Sequence, residues 1–369
     1  MAPQILFTGI EVDDAAFHVC GIGGTTGEMI SFTCKPVLGV LVRKLNGLGA
    51  KGFTIQSCYE ASYIGFSLCR ALRKAGIGCE VIAPSLTPRK AGDRVKTDRL
   101  DSEKLATYYG KGLLTVVHVP DEGEEKLRDL IRTRHFLTEQ AKRVRLHLTG
   151  MCRRRGWDYR QTEGKDTWTQ KHRQWLKNQF QAEEDPAFVF HGASLLHVLE
   201  GLEGQILLFS QQIEEKAQTP GYRPRVQGLV SFRGIDVITA MTVVTEIGDV
   251  HRFSHPRKLM SFVGFDVKEY SSGGKQFQFH ITKLGNVHLR RVLVESCQTA
   301  SRPPNIGPRL KLRRTGVALE SISIADRCMR RLYQKSSRLL ARDKPRNKVK
   351  VACARELIGF IWESLRQAA

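Results

Sequence analysis

The sequence is short of acids, has no paired cysteine motif and contains no long apolar run. Nothing in it approaches the roughly 20 apolar residues that a membrane helix needs. Its start, MAPQILFTGIEVDD, lacks a basic segment followed by an apolar one. A cytoplasmic protein with no membrane partner is therefore expected. The nine cysteines, Cys20, Cys34, Cys58, Cys69, Cys79, Cys152, Cys297, Cys328 and Cys353, are odd in number, scattered and form no CxxC. That pattern argues against structural zinc and a disulfide framework, and for reduced core thiols. Asp plus Glu is 37 against 58 for Lys plus Arg, a formal charge of +21. Such an excess repels itself and is most simply explained by a polyanionic partner, nucleic acid first. With 369 residues, 41% of them hydrophobic, the chain is long enough to bury more than one core.

The stretch DRVKTDRLDSEKLA at 93–106 organises the first third. Asp98 and Asp101 stand three apart, so on a helical turn both carboxylates project from one face, half of a metal site. Lys96 and Arg99 add positive charge where a phosphate would approach. The plainer reading makes Asp98 an N-cap and Asp101 a first-turn acid, both favoured by free N–H groups and the helix dipole. Upstream, residues 5–12, 16–22 and 29–34 read as strands separated by tight turns. A helix follows at 37–48, a strand at 53–61 with Glu60 near its end, a helix at 62–75, a strand at 79–83 and a helix at 101–109. Residues 114–119 add an edge strand or lead out of the domain.

Three strands, helix, strand, helix, strand, helix is an order that resembles the ribonuclease H-like arrangement. In that arrangement acids on the first strand, at the end of the fourth and on a later helix meet at one edge of a mixed sheet. The candidates here are Glu11, Glu60, Asp98 and Asp101. Two hard cations about 3.5–4 Å apart can activate an attacking oxygen and stabilise a leaving one, and Mg²⁺ prefers oxygen ligands. Taken singly, Glu60 is equally a solvated strand-end acid and Glu11 an exposed residue on an alternating strand.

From Glu124 onward Leu127, Leu130, Ile131, Leu137, Ala141, Val144 and Leu148 form one stripe of a long helix, flanked by many bases including Arg143. A charge run on a helix is often just a solvated face. Here the charge continues through Arg153, Arg154 and Arg155 to Arg173, with Trp157, Tyr159, Trp168 and Trp175 interleaved. Bases with exposed aromatics suit RNA or single strands, although the tryptophans fit a core equally well. A second helix at 195–216 completes an antiparallel pair suited to dimerisation. After a breaker-rich linker at 219–224, two helices flank a turn at 232–236, whose backbone N–H groups suit a phosphate or simply packing. The segment KEYSSGGK at 268–275 reads as a flexible Ser-Gly loop amid cations.

Taken together, the chain resembles transposases of the insertion-sequence 110 family, the DEDD transposases related to the Piv DNA invertase. The resemblance rests on Gly9-Ile10-Glu11-Val12, Tyr59-Glu60-Ala61, Lys96-Thr97-Asp98-Arg99-Leu100-Asp101 and the block from Ser271 to Arg291. Gly234, Ala240, Glu246-Ile247-Gly248-Asp249, Arg252-Phe253 and Phe262-Val263-Gly264 extend it nearly end to end.

The resemblance implies an α/β plus α chain: a ribonuclease H-like (RuvC-like) domain at 1–123, a long helical connector at 124–218 and a mostly helical transposase domain at 219–369. It implies that Glu11, Glu60, Asp98 and Asp101 hold Mg²⁺, with Mn²⁺ as a substitute. It further implies a serine that attacks a DNA phosphodiester to form a phosphoserine link, and strand exchange through a Holliday-junction-like intermediate. The family's serine directly precedes paired glycines, so Gly273-Gly274-Lys275 points to Ser272, with Ser271 in reserve. The implied partners are donor and target DNA, a structured guide (bridge) RNA, and further copies of the chain as a homodimer assembling to a tetramer. Lys96, Arg99, Arg143, Arg153, Arg154, Arg155, Lys275, Lys283, Arg290 and Arg291, together with the basic tail 302–350, are the expected nucleic-acid contacts. The compartment implied is a bacterial or archaeal cytoplasm.

One position departs from the pattern, because the family usually has Asp where this chain has Glu11. The extra methylene displaces the carboxylate by roughly 1.5 Å. The alternatives are therefore an RNA- and DNA-binding homologue with impaired catalysis, or a hydrolytic junction nuclease that uses the acids alone.

Overall fold

A computed structural model describes residues 4–88, 97–164, 166–272 and 275–368. The chain divides into two compact units, residues 1–120 and 121–369. Among the described residues no helix is long and apolar enough to cross a membrane.

The first unit runs β1 (Gln4–Val12), β2 (Phe17–Gly23), β3 (Met29–Cys34), α1 (Leu38–Gly49), β4 (Phe53–Glu60), α2 (Ser67–Lys74), β5 (Gly78–Ile82), α3 (Asp98–Gly110) and β6 (Val116–Val117). The order is the one expected, and residues 116–117 do form an edge strand. One mixed sheet is ordered β3-β2-β1-β4-β5-β6. The first three strands are antiparallel neighbours, β1 and β5 run parallel to β4, and β6 is antiparallel to β5. The period-two alternation of these strands gives the sheet two apolar faces. On one face Leu6, Ile10, Ile55, Tyr59 and Val81 pack with Leu41 and Leu45 of α1 and Leu68 and Leu72 of α2.

Helix α3 covers the opposite face, where Leu105 packs on Cys58 and Ile82 and Tyr109 meets Phe7 edge to face, with ring centres 5.7 Å apart. The approach is possible because β1 carries Gly9 at the crossing. A Cβ there would lie 2.2 Å from the Ser102 carbonyl oxygen and 2.6 Å from the Ala106 nitrogen. The helix begins at Asp98, earlier than expected, because the Thr97 hydroxyl accepts from Leu100 N at 3.3 Å and acts as the cap.

The second unit runs α4 (Glu122–Arg154), α5 (Tyr159–Thr162), α6 (Gln170–Ala182), α7 (Pro186–Ala217), α8 (Arg223–Val230), α9 (Val237–Ile247), α10 (Pro256–Val263), β7 (Val267–Ser272), β8 (Lys275–Ile281), α11 (Val287–Ser296), α12 (Pro308–Arg313), α13 (Leu319–Leu340) and α14 (Arg346–Gln367). Helices α4 and α7 are the expected antiparallel pair. At one end Leu127 and Ile131 share a core with Ile213 and Ala217; at the other Ala141 and Leu148 share one with Leu196 and Leu199. The first of these cores belongs to the carboxyl-terminal helices as well, and α9 runs buried through it from Ala240 to Ile247.

Two expectations need correction here. Most of the basic stretch 302–350 is not a tail, because it folds into α12, α13 and the start of α14. There Ile324, Cys328 and Leu332 recur at helical spacing and pack against Cys353, Leu357 and Ile361. The segment read as a Ser-Gly loop is strand up to Ser272. Residues 267–272 form β7 and residues 275–281 form β8 of an antiparallel pair, in which Tyr270 is in register with Phe277 and Ser272 with Lys275, while Gly273 and Gly274 lie outside the described residues. Tyr270, Phe277 and Phe279 supply the aromatic strand preference that the glycines obscured.

The Gly9 crossing makes a sharp expectation. Gly9→Val should cost about 2–3 kcal/mol by driving a branched side chain into the α3 backbone. A denaturant midpoint equal to that of the parent protein would show that α3 does not lie where described.

Candidate functional site

Parallel pairing sets the geometry of the acids. Ile10 of β1 is in register with Tyr59 of β4, so the next residues, Glu11 and Glu60, end neighbouring strands spaced ~4.8 Å apart. Both lie two residues beyond positions covered by α3, Gly9 and Cys58, and so share that face of the sheet. Directly across β2 from Glu11 is His18, and its Nε2 is 3.6 Å from Oδ2 of Asp98. Asp101 follows on the first turn of α3. Glu11 and Glu60 thus lie on the sheet face that α3 covers, His18 stands beside Glu11 and Asp98 beside His18, and the first turn of α3 carries both Asp98 and Asp101. The Thr87 hydroxyl donates to Glu60 Oε1 at 2.8 Å. Four carboxylates offer the all-oxygen donor set that a hard divalent cation takes. As they stand, no three His, Cys, Asp or Glu side chains among the described residues are grouped to hold a metal ion. Lys96 lies outside the described residues, and Arg99 is exposed on the first turn of α3.

Ser271 and Ser272 end β7 at the hairpin tip. The hairpin is rooted in two interlocked turns that begin and end it. Gly264 (φ +77) and Gly285 (φ +111) approach so closely that a Cβ on either would meet a backbone oxygen of the other turn at 2.2 Å. Asn286 N donates to Phe262 O at 2.9 Å and Lys283 N to Gly264 O at 3.1 Å.

Beneath this root sits a group that the sequence marks only as part of a family block, with no role attached. Glu246 is buried on α9, receiving Nε and Nη2 of Arg132 at 2.8 Å each and Nδ2 of Asn286 at 2.7 Å. Asn286 also caps α11, its Oδ1 accepting from Leu289 N at 2.9 Å. His288 lies nearby, lowered in pKa by burial despite the attraction of Glu246. The available signal was an acid inside the apolar run 237–247, since a buried carboxylate must be paired.

The expected cationic contacts divide. Arg143, Arg153, Arg154 and Lys283 are exposed. Arg155 is held by Asp185 at 2.6 Å and lies over Phe188. Arg290 donates to Val263 O at 2.8 Å and so serves the packing of the hairpin root, while Arg291 pairs with Glu295 of its own helix at 2.9 Å. Lys275 lies opposite Ser272 in the hairpin register. The turn at 232–236 is explained by packing. A Cβ on Gly234 would lie 2.2 Å from Ser296 O, and the start of α9 is occupied by Asp236, which accepts from Thr239 N at 2.7 Å.

Comparison with known proteins adds two family matches and three relatives. The sequence model described as Transposase IS116/IS110/IS902 family matches residues 226–310, and a second one, described as Transposase, matches residues 8–153. A candidate transposase of Sinorhizobium fredii, y4qE, is 37% identical over 88% of this chain and 79% of its own length. The transposase for insertion sequence element IS1533 of Leptospira borgpetersenii is 28% identical over 79% of this chain and 83% of its own. The one for IS1111A of Coxiella burnetii is 22% identical over 81% and 79%.

The Glu246 pair makes a pH-dependent prediction. Burial works to raise the Glu246 carboxyl, but hydrogen bonds and charge from Arg132, then Asn286, hold it below the ordinary carboxylate range. A depressed folded-state value means that the stabilisation is complete above the unfolded pKa, about 4.3, and lost as pH falls through the folded one. Arg132→Ala should cost about 2–3 kcal/mol near neutrality, the lower side of a broken buried pair because Arg132 is partly exposed. Its deficit should shrink as the medium is acidified below pH 4. A deficit that stays constant from pH 7 to pH 3 would remove the pair from the account.

Proposed function

The chain belongs to the IS116/IS110/IS902 family of transposases, and on that premise we propose that it cuts and rejoins DNA through a serine nucleophile and a divalent-metal site. That it is an insertion-sequence transposase, an enzyme acting on DNA, follows from the family. The finer reading rests chiefly on one observation, that Glu11 and Glu60 stand on adjacent strands on the sheet face covered by α3, whose first turn carries Asp98 and Asp101. The strand order around β1 also supports a ribonuclease H-like first unit.

In the proposed reaction the Ser272 Oγ forms a bond to phosphorus and the bond to one deoxyribose oxygen breaks. That oxygen departs as a hydroxyl carrying the serine's proton. The bond energy is kept in the phosphoserine, so a hydroxyl on a new strand can reverse the step and rejoin the ends, which hydrolysis would forbid. A bound Mg²⁺ would neutralise charge on the phosphoryl oxygens and lower the pKa of a coordinated hydroxyl. The four carboxylates would hold it, with Asp98, exposed and near His18, free to turn towards the others. The net charge of +21 supports DNA and a structured guide RNA as partners. Exposed Phe136, Leu146, Phe190 and Leu207 along α4 and α7 support self-association, as a dimer and then a tetramer. The first-strand glutamate favours a second reading, a nucleic-acid binder with impaired catalysis.

Purified protein with its co-expressed RNA, labelled donor and target DNA and Mg²⁺ should yield a covalent protein–DNA adduct on a denaturing gel. The adduct should vanish in Ser272→Ala and fall at least about a hundredfold in Asp101→Ala. Free cleaved ends that persist in the double variant Ser271→Ala/Ser272→Ala would establish the hydrolytic nuclease instead. Binding without cleavage, with cleavage gained in Glu11→Asp, would establish the impaired binder.

A further inference from the structure

Three of the chain's four tryptophans fall within residues 157–175, and the structure gathers all three around one cavity. The cavity measures about 270 Å³ and lies between the end of α4, the short α5 and the start of α6. Trp157, Trp168 and Trp175 are half-buried in its walls, while Tyr159 lies beneath, its ring 5.4 Å from that of Trp175. Trp168 has φ +67, a left-handed backbone that a bulky side chain rarely adopts. The conformation is held by its own N–H, which donates to His172 Nδ1 at 2.8 Å, and by Arg145 over the indole face. Strain of this kind persists where the surroundings over-determine it, and it collects at ligand sites.

The rim is cationic in a selective way. Arg145 and Arg173 are both committed to Glu203, and Arg155 to Asp185. Arg153 and Arg160 line the same cavity, are exposed, and meet no carboxylate among the described residues. Asp158, the acid in the lining, is turned to cap α5, its Oδ1 accepting from Arg160 N at 3.0 Å. Flat aromatic walls with two uncommitted guanidinium groups at the mouth match a planar ring joined to a phosphate.

We propose that this cavity takes one unpaired nucleotide of a single-stranded nucleic acid, its base between the tryptophans and its phosphate on Arg153 and Arg160. The volume, just below the roughly 300 Å³ where drug-sized pockets begin, is ample for one base. Every base has a π-face, so the site grips a strand without reading its sequence. The proposal rests on the nucleic-acid reading of the chain but assigns that reading a place.

The tryptophans supply their own probe. In the full-length chain carrying Trp362→Phe, all remaining indoles line the cavity. Titration with single-stranded RNA and DNA decamers should quench their emission, and whichever strand binds more tightly identifies the source of the nucleotide. Trp168→Gly suits the left-handed backbone while removing one wall, and should weaken single-strand binding about tenfold. Arg153→Glu with Arg160→Glu alters only exposed side chains and should weaken it at least as much, with helix content by circular dichroism unchanged. Single strands that bind without quenching, or equally well to both variants, would overturn the cavity assignment while leaving the transposase reading intact. A parent protein that binds neither single strands nor duplex DNA would overturn both.

Discussion

The absence of a side chain at Gly9 is the constraint on which the first unit depends. It lets the α3 backbone lie directly against β1, and that contact decides where the first turn of α3 can stand. With α3 at that distance, Asp98 and Asp101 come over the same edge at which β1 and β4 end. Parallel pairing of β1 with β4 supplies the other half. Two parallel neighbours finish side by side, so Glu11 and Glu60 are adjacent in space although a strand pair, a helix and several turns separate them in sequence.

The second unit solves a different problem, how to fold a chain with so many bases. Much of its charge is consumed internally. Arg132 is spent on Glu246, Arg145 and Arg173 on Glu203, Arg314 on Asp326, and Arg331 and Lys335 on Glu356. Acids placed between pairs of bases reduce self-repulsion inside the unit, and the exposed remainder, Arg143, Arg153 and Arg154 among it, is left for a polyanion. Net charge read from composition therefore overstates the surface available to nucleic acid, and Arg290 and Arg291 illustrate the difference.

What was legible in the sequence was whatever local patterning controls. Alternation marked β1 to β5, and the stripe from Leu127 to Leu148 marked α4. The acids were legible because each sits at a strand end or first turn that the element order locates. The hairpin of β7 and β8 was not, since two serines and two glycines outweighed the alternating Tyr270, Phe277 and Phe279. Helices α13 and α14 were hidden by the same bases that suggested a tail, although Ile324, Cys328 and Leu332 keep helical spacing beneath them. The Glu246 pairing was invisible for a different reason: Arg132 and Glu246 are far apart in the chain, and nothing local predicts which of many arginines will answer a buried acid.

Arg132 belongs to the long helix α4, Glu246 to the buried helix α9, and Asn286 to the turn that closes the serine hairpin. These three side chains make a rigid strut between a 33-residue rod and the base of the hairpin. At about 1.5 Å per residue such a rod is nearly 50 Å long. A displacement of its far end would be passed towards the hairpin root through that joint, whose carboxylate is buried on α9. A molecule gripping the outer end of the helical pair would hold the long arm of a lever whose short arm carries the serine.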